Sequence, residues 1–114
     1  MKDDRFYLIH VAECLERINS YVVDGREVFI QSTLIQDAVL RNLQVMVESV
    51  KRLSEQLRDT HQDVDWRGMI GLRNILVHDY LSVDRNTVWQ IIEKDLPDFQ
   101  TRVQSILDTL NDSA

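Results

Sequence analysis

The chain has 114 residues, of which 44% are hydrophobic and 28% charged, and its 13 basic and 19 acidic residues give a formal net charge of −6. This composition suits one domain with its own hydrophobic core and excludes a disordered chain, while a single cysteine excludes a disulfide framework and a cysteine-rich zinc site. No apolar run approaches the ~18 residues of a membrane span, and the N-terminal MKDDRFYLIH does not resemble a signal peptide, so we expect a soluble cytoplasmic protein without membrane contact.

Amphipathic helices are predicted wherever apolar residues recur at alternating spacings of three and four. This pattern covers residues 8–22, 39–57 and 96–110. The first helix is predicted to begin at Asp3 or Asp4 and to end at an Asp-Gly pair over residues 24–25. The second is predicted to run from residue 31 or 32 to about residue 59, followed by a polar break.

The second half of the chain is predicted to hold two further helices. The third follows a cap at Asp63 or Asp65 and ends near Tyr80, and the fourth begins after Asp84. Pro97 is unfavourable inside a helix, so we expect a kink or a restart just before it. Together these elements predict one all-α domain over residues 1–114, an up-and-down bundle of four helices, or of five if the last breaks at the proline.

The lone cysteine has one histidine neighbour along the first helix. His10 and Cys14 lie four residues apart, which would allow two ligands on one edge of a metal ion. No second pair has ligand spacing. We therefore interpret Cys14 as a buried structural residue and His10 as a surface side chain, and we predict neither a metal site nor a cofactor.

Polar residues interrupt the second helix at Arg41 and Glu48. These two residues are seven apart and therefore share one face. They are interpreted as a solvated face with ordinary ion pairs, each of which contributes little. The sharper alternative, an Arg–Glu pair that lines a pocket or an interface, is less favoured by the spacing alone.

The third helix carries the most informative run, in which Arg73, Asn74, His78 and Tyr80 surround an apolar block. An imidazole, with an unperturbed pKa of ~6.5, accepts or donates a proton near neutral pH, and the guanidinium fork matches a phosphate. Together they suit phosphoryl chemistry without a metal. An ordinary helix end with its histidine near the C-terminal dipole is the alternative, and the residues alone leave both open.

Helix geometry separates the two central residues of this run. Five residues advance ~500°, so Arg73 and His78 point ~140° apart, whereas Asn74 and His78 share a face. If the arginine and the histidine act on one phosphate, either the helix is distorted before His78 or a second protomer completes the site. The second possibility predicts a homodimer with this helix at its interface.

The run Arg73-Asn74-x-x-x-His78-x-Tyr80 resembles the signature of the HEPN superfamily and, within it, of HepT-type toxins. The similarity extends over residues 37–54, 66–72 and 88–97, and so over nearly the whole chain. The family often has Gly-Glu-Ala on the second helix, where this chain has a Val-Glu-Ser sequence over residues 47–49. Glu48 matches the family at that point.

This resemblance implies a metal-independent endoribonuclease that acts as the toxin of a toxin–antitoxin pair. It also implies a homodimer with both motifs in one cleft, and a partner, a minimal nucleotidyltransferase antitoxin, that silences the toxin by transferring AMP to Tyr80. His78 would act as general base or acid, Arg73 would stabilise charge on the phosphate, and Asn74 would orient His78 or contact phosphate. Arg41 and Glu48 are supporting candidates for RNA binding.

Two other interpretations remain open from the sequence. The first is a non-catalytic helical module that binds a nucleotidyltransferase or a nucleotide through the same residues. The second is a purely structural helical dimer. The acidic net charge argues against a protein that coats nucleic acid by charge alone, so attraction for RNA would have to be local.

Overall fold

The computed structural model describes residues 3–78 and 84–112, with the side chains of all of them except residues 75–78. These ranges contain seven α-helices and one π-helical turn, Ile91–Asp95. The α-helices are α1 (Asp4–Tyr21), α2 (Arg26–Gln31), α3 (Thr33–Lys51), α4 (Glu55–Thr60), α5 (Trp66–His78), α6 (Arg85–Gln90) and α7 (Leu96–Asp112). No strand occurs in the described ranges, and the predicted all-α class is confirmed.

The four long helices form the bundle, in which α1 packs against α3 and α7, and α3 also packs against α5. Contacts between opposite ends show that α1 runs antiparallel to both neighbours. Asp4 at the start of α1 accepts hydrogen bonds from Ser54 just beyond α3, and Arg5 donates to Asn111 at the end of α7. Within the described residues, no helix combines the length and the apolarity that crossing a membrane requires.

The core is built from the predicted apolar stripes. The most completely buried large side chains are Leu8, Leu15, Ile18, Leu43 and Met46 of these stripes and Phe29 of α2, which lies outside them. Removing such surface from water contributes ~25 cal/mol per Å². The stripes of α1, α3 and α7 thus hold the frame that presents α5.

Three of the predicted helix starts are confirmed by side-chain caps. Asp3 accepts a hydrogen bond from the Phe6 N–H at the start of α1, and Asp84 accepts one from the Asn86 N–H at the start of α6. For the third predicted helix, the capping residue is Asp65, whose carboxylate accepts from the N–H of the third residue of α5 at 3.0 Å. A carboxylate there also complements the positive end of the helix dipole.

The predicted length of the second helix was wrong. Instead of reaching residue 59, α3 ends at Lys51, and the short helix α4 follows after a turn. The break comes from Ser54, whose extended backbone and capping hydroxyl start α4. Asp4 holds Ser54 in place by accepting from both its N–H and its hydroxyl, at 2.8 and 2.6 Å. The apolar stripe continues across the break because Leu53 and Leu57 both stay buried.

Two further departures concern short segments. The helix α2 was not predicted, because six residues with one buried side chain, Phe29, are too few to show a helical period. The irregularity expected before Pro97 is present as the π-helical turn, in which the Leu96 N–H bonds to the Ile91 carbonyl. The proline lies in the first turn of α7, where its missing N–H is tolerated.

Candidate functional site

The helix α5 positions the residues of the candidate site. Trp66, Met69 and Leu72 are buried and anchor one side of the helix, while Arg73 and Asn74 are exposed. The backbone is α-helical without interruption through His78. The side chain of His78 and all of Tyr80 lie outside the part of the chain that the structure describes.

The backbone of α5 tests whether the helix is distorted between Arg73 and His78. No π-turn, 3₁₀ turn or break interrupts α5 between them. On such a helix the two positions point ~140° apart. The distortion considered as the first possibility is therefore not found in the backbone of α5.

An ion pair between two helices orients Arg73. Its Nε lies 3.5 Å from Oε1 of Glu48 on α3, and both side chains are about half exposed. A half-exposed pair of this kind contributes about 0–1 kcal/mol to stability. Its main consequence is that the guanidinium is held at the α3–α5 junction.

Arg41, the other charged candidate on α3, is exposed and forms no ion pair with any described side chain. Glu48 thus pairs with α5 and not with Arg41 along its own helix. Sequence spacing identified the shared face of Arg41 and Glu48 but missed the contact with Arg73. Spacing along α3 carries no information about which side chain of another helix lies opposite Glu48.

Ser49, the residue after Glu48, forms a hydrogen bond with a side chain of α1. Ser49 is 6% exposed, and its hydroxyl shares a 2.6 Å hydrogen bond with Nδ1 of His10 on α1. The interpretation of His10 as a surface residue was wrong: it is half-buried because Ser49 supplies a partner at the α1–α3 contact.

Cys14 is buried as predicted, with its sulfur 3.9 Å from Nε2 of His10. Burial raises the pKa of the Cys14 thiol, and the nearby Arg17 cation opposes this only in part. A protonated, enclosed thiol is a poor nucleophile and a poor metal ligand. Both ring nitrogens of His10 face protein atoms, and the described residues contain no group of three or more His, Cys, Asp or Glu side chains that would hold a metal ion.

Comparison with known proteins identifies the family of this chain. Residues 11–106 match the family model described as Ribonuclease HepT-like. A candidate RNase of Caldanaerobacter subterraneus is 32% identical over 111 residues, which cover 94% of this chain and 96% of that protein. A Methanocaldococcus jannaschii protein named as a gamma-glutamylcyclotransferase and candidate RNase is also 32% identical, but this chain spans only 50% of its length.

A solved structure supports the same relationship. The tri-AMPylated HEPN toxin of Shewanella oneidensis, in complex with MNT antitoxin, is 25% identical to this chain with a TM-score of 0.65. The match covers 93% of this chain and 98% of that one. This chain therefore belongs to the HepT-like ribonuclease family.

Proposed function

We propose that this chain is a metal-independent endoribonuclease and the toxin of a toxin–antitoxin pair, acting in the cytoplasm as a single domain over residues 1–114. The observation that carries the proposal is the placement of Arg73. It is accessible on an unbroken α5, oriented by Glu48, and five residues before His78. Membership in a ribonuclease family gives the substrate class, and an accessible guanidinium fits a phosphate.

The proposed reaction uses the 2′-OH of RNA as the nucleophile. His78 takes the proton from O2′, a bond forms between O2′ and the adjacent phosphorus, and the bond from phosphorus to O5′ breaks. A protonated imidazole returns a proton to O5′, so the products are a 2′,3′-cyclic phosphate and a free 5′-OH. Arg73 stabilises the negative charge that develops on the phosphorane oxygens.

A homodimer completes the proposed site. Because Arg73 and His78 of one helix point apart, we infer that the arginine of one protomer and the histidine of its partner act on the same phosphate. Asn74 is exposed beside Arg73, where its amide would contact a phosphate or orient the histidine. Arg41 lies two helical turns from Glu48 on the same face of α3 and would bind a neighbouring phosphate.

The proposed partner is a minimal nucleotidyltransferase antitoxin. In the Shewanella oneidensis structure a HEPN toxin carries three AMP groups and is bound to MNT antitoxin. We propose the corresponding modification at Tyr80 of this chain, two residues beyond the histidine of the motif. Each attached AMP would add a phosphate charge and bulk where RNA has to lie, and both oppose binding.

A cleavage assay tests the proposed activity. The purified protein is expected to cut single-stranded RNA in excess EDTA and to leave 2′,3′-cyclic phosphate ends, which mass spectrometry of the fragments identifies. Cleavage that stops on chelation and returns with a divalent ion would contradict the metal-independent reaction. If no preparation that is free of attached AMP cuts RNA, the proposed ribonuclease activity is wrong.

Glu48 is expected to act as a positioning residue for Arg73. Glu48→Gln removes the charge that holds the guanidinium, so we expect kcat to fall about tenfold, while KM stays unchanged or falls because a carboxylate no longer repels RNA. The free energy of unfolding should change by less than about 1 kcal/mol.

A matched control for this variant exists on α1. Glu13 pairs with Arg17 at 3.8 Å, and both side chains are about half exposed, as in the Glu48–Arg73 pair. Glu13→Gln should leave kcat and KM at their original values. Equal kinetics of the Glu13 and Glu48 variants would show that Glu48 does not position Arg73.

A further inference from the structure

The helix α5 contains a glycine that the fold of the described residues does not require. Gly71 lies in the helix interior, where glycine lowers stability relative to alanine. A β-carbon placed on it would meet no described atom within 4 Å. By contrast, a β-carbon on Gly68 would collide with the capping carboxylate of Asp65. Packing within the chain thus explains why residue 68 is a glycine, but it does not explain the glycine at residue 71.

The residues around Gly71 define one polar face of the helix. Arg67 precedes it by four residues and Asn74 follows it by three, so the three positions fall within an arc of about 60°. Arg67 and Asn74 are exposed. We call these three residues the Gly71 face. The buried side chains of α5 point the other way, and Gly71 itself is half-buried between its two exposed neighbours.

The charge of α5 differs from that of the rest of the chain. Its sequence, WRGMIGLRNILVH, contains two arginines and no acidic residue, in a protein of net charge −6. Two carboxylates of α4, Glu55 and Asp59, line a groove beside Arg67, yet Arg67 forms no ion pair with either of them or with another described side chain. The Gly71 face therefore presents a cation that is available to an external anion.

We propose that the Gly71 face binds the sugar-phosphate backbone of the RNA substrate. Gly71 lets the RNA backbone approach the helix closely, as glycine does where a ligand has to contact the main chain. The Gly71 face lies on the same side of the helix as the His78 position, seven residues after Gly71, and Arg67 lies about 17 Å before that position along the axis, so Arg67 binds a phosphate a few nucleotides from the one being cut. The proposal rests on the ribonuclease function proposed above and adds two substrate-binding positions outside the motif.

A second copy of this chain is the competing occupant of the Gly71 face. The centres of protein interfaces are depleted of charged residues. The Gly71 face consists of an arginine, a glycine and an amide, and its apolar neighbour Ile70 is already half-buried. These features favour a polyanion over another protein surface.

Gly71→Ala is the decisive substitution. Because the added methyl group meets no described atom and alanine favours the helix, we expect the melting temperature to rise by about 2–6 °C. The affinity for a single-stranded RNA of 12 nucleotides should nevertheless fall at least tenfold. Binding is measured by fluorescence anisotropy in a His78→Ala background that blocks cleavage, and cleavage is measured with His78 intact.

Arg67→Gln provides an independent measurement. Removing one phosphate contact should lower the affinity several-fold and reduce the slope of log K against log salt by about 0.7, the value for one charge on a single strand. Arg17→Gln, on α1, removes an exposed arginine elsewhere and should leave this slope unchanged.

The outcomes separate this proposal from the proposed function. If the original chain cuts RNA and Gly71→Ala binds and cuts it equally well, the Gly71 face does not bind the RNA backbone. The proposed ribonuclease activity is then unaffected. If Gly71→Ala loses RNA only because sedimentation shows dissociated protomers, a second copy occupies the face and the proposal is overturned. If the original chain neither binds nor cuts RNA, the proposed function itself fails.

Discussion

Replacing His78 by alanine is expected to lower the rate of RNA cleavage by about 10²–10⁴-fold, because the reaction then lacks its general base. Arg73→Ala should lower the rate by about 10²–10³-fold, since a preorganised donor to the developing phosphorane charge is lost. Both rates are measured on the same labelled RNA at saturating concentration. For Arg73→Ala the decrease should appear in kcat, because charge stabilisation is strongest in the transition state.

Stability measurements separate this loss from unfolding. Arg73 is about half exposed and its ion pair is weak, so Arg73→Ala should change the free energy of unfolding by no more than about 1 kcal/mol. Arg17→Ala removes an arginine of similar exposure on α1 and should leave cleavage unaffected. If the Arg73 and His78 variants cut RNA as fast as the original chain, the catalytic assignment is wrong. If none of the proteins cuts RNA but all bind a nucleotidyltransferase, the binding-module interpretation is correct.

Replacing Tyr80 by phenylalanine is expected to abolish transfer of AMP by the cognate antitoxin. Phenylalanine keeps the ring but lacks the oxygen that would form the bond to the AMP phosphorus. The variant should therefore cut RNA at nearly the original rate and resist neutralisation. Intact-mass measurement after incubation with the antitoxin and ATP reports each added AMP, and an RNA assay on the same sample reports the remaining activity.

Tyr21 supplies the control for this experiment. It is a half-buried tyrosine at the end of α1, so Tyr21→Phe should still be modified and silenced. If the antitoxin adds the same mass to the Tyr80 variant and still neutralises it, the modified residue lies elsewhere. If the variant escapes modification but is silenced, the antitoxin acts by binding alone.

The sequence was sufficient to predict the class of fold and most helix starts. Apolar spacing identified the core residues of α1, α3 and α7, and Asp3 and Asp84 marked helix starts through a local hydrogen bond. Both signals depend on neighbours within a few residues. The break at Ser54 does not, because it depends on Asp4, which is fifty residues away. Long-range contacts of this kind leave no mark in the hydrophobic period.

The candidate site also combines features that were predicted from the sequence with features that only the packing shows. The roles of Arg73, Asn74 and His78 were predicted from residue type and spacing, and they stay predictions. The ion pair of Arg73 with Glu48 and the half-burial of His10 beside Ser49 required the packing of α5 and α1 on α3. Likewise, only the structure shows that packing within the chain does not require a glycine at residue 71.

The shared site is tested most directly by mixing two inactive chains. Arg73→Ala and His78→Ala protomers are co-expressed with different tags, and RNA cleavage by the mixed dimers is compared with that of each variant alone. If the guanidinium and the imidazole come from different protomers, every mixed dimer holds one intact site, and random pairing restores about a quarter of the original rate. A mixture that stays as inactive as its components, with mixed dimers shown to be present, would contradict a site shared between protomers.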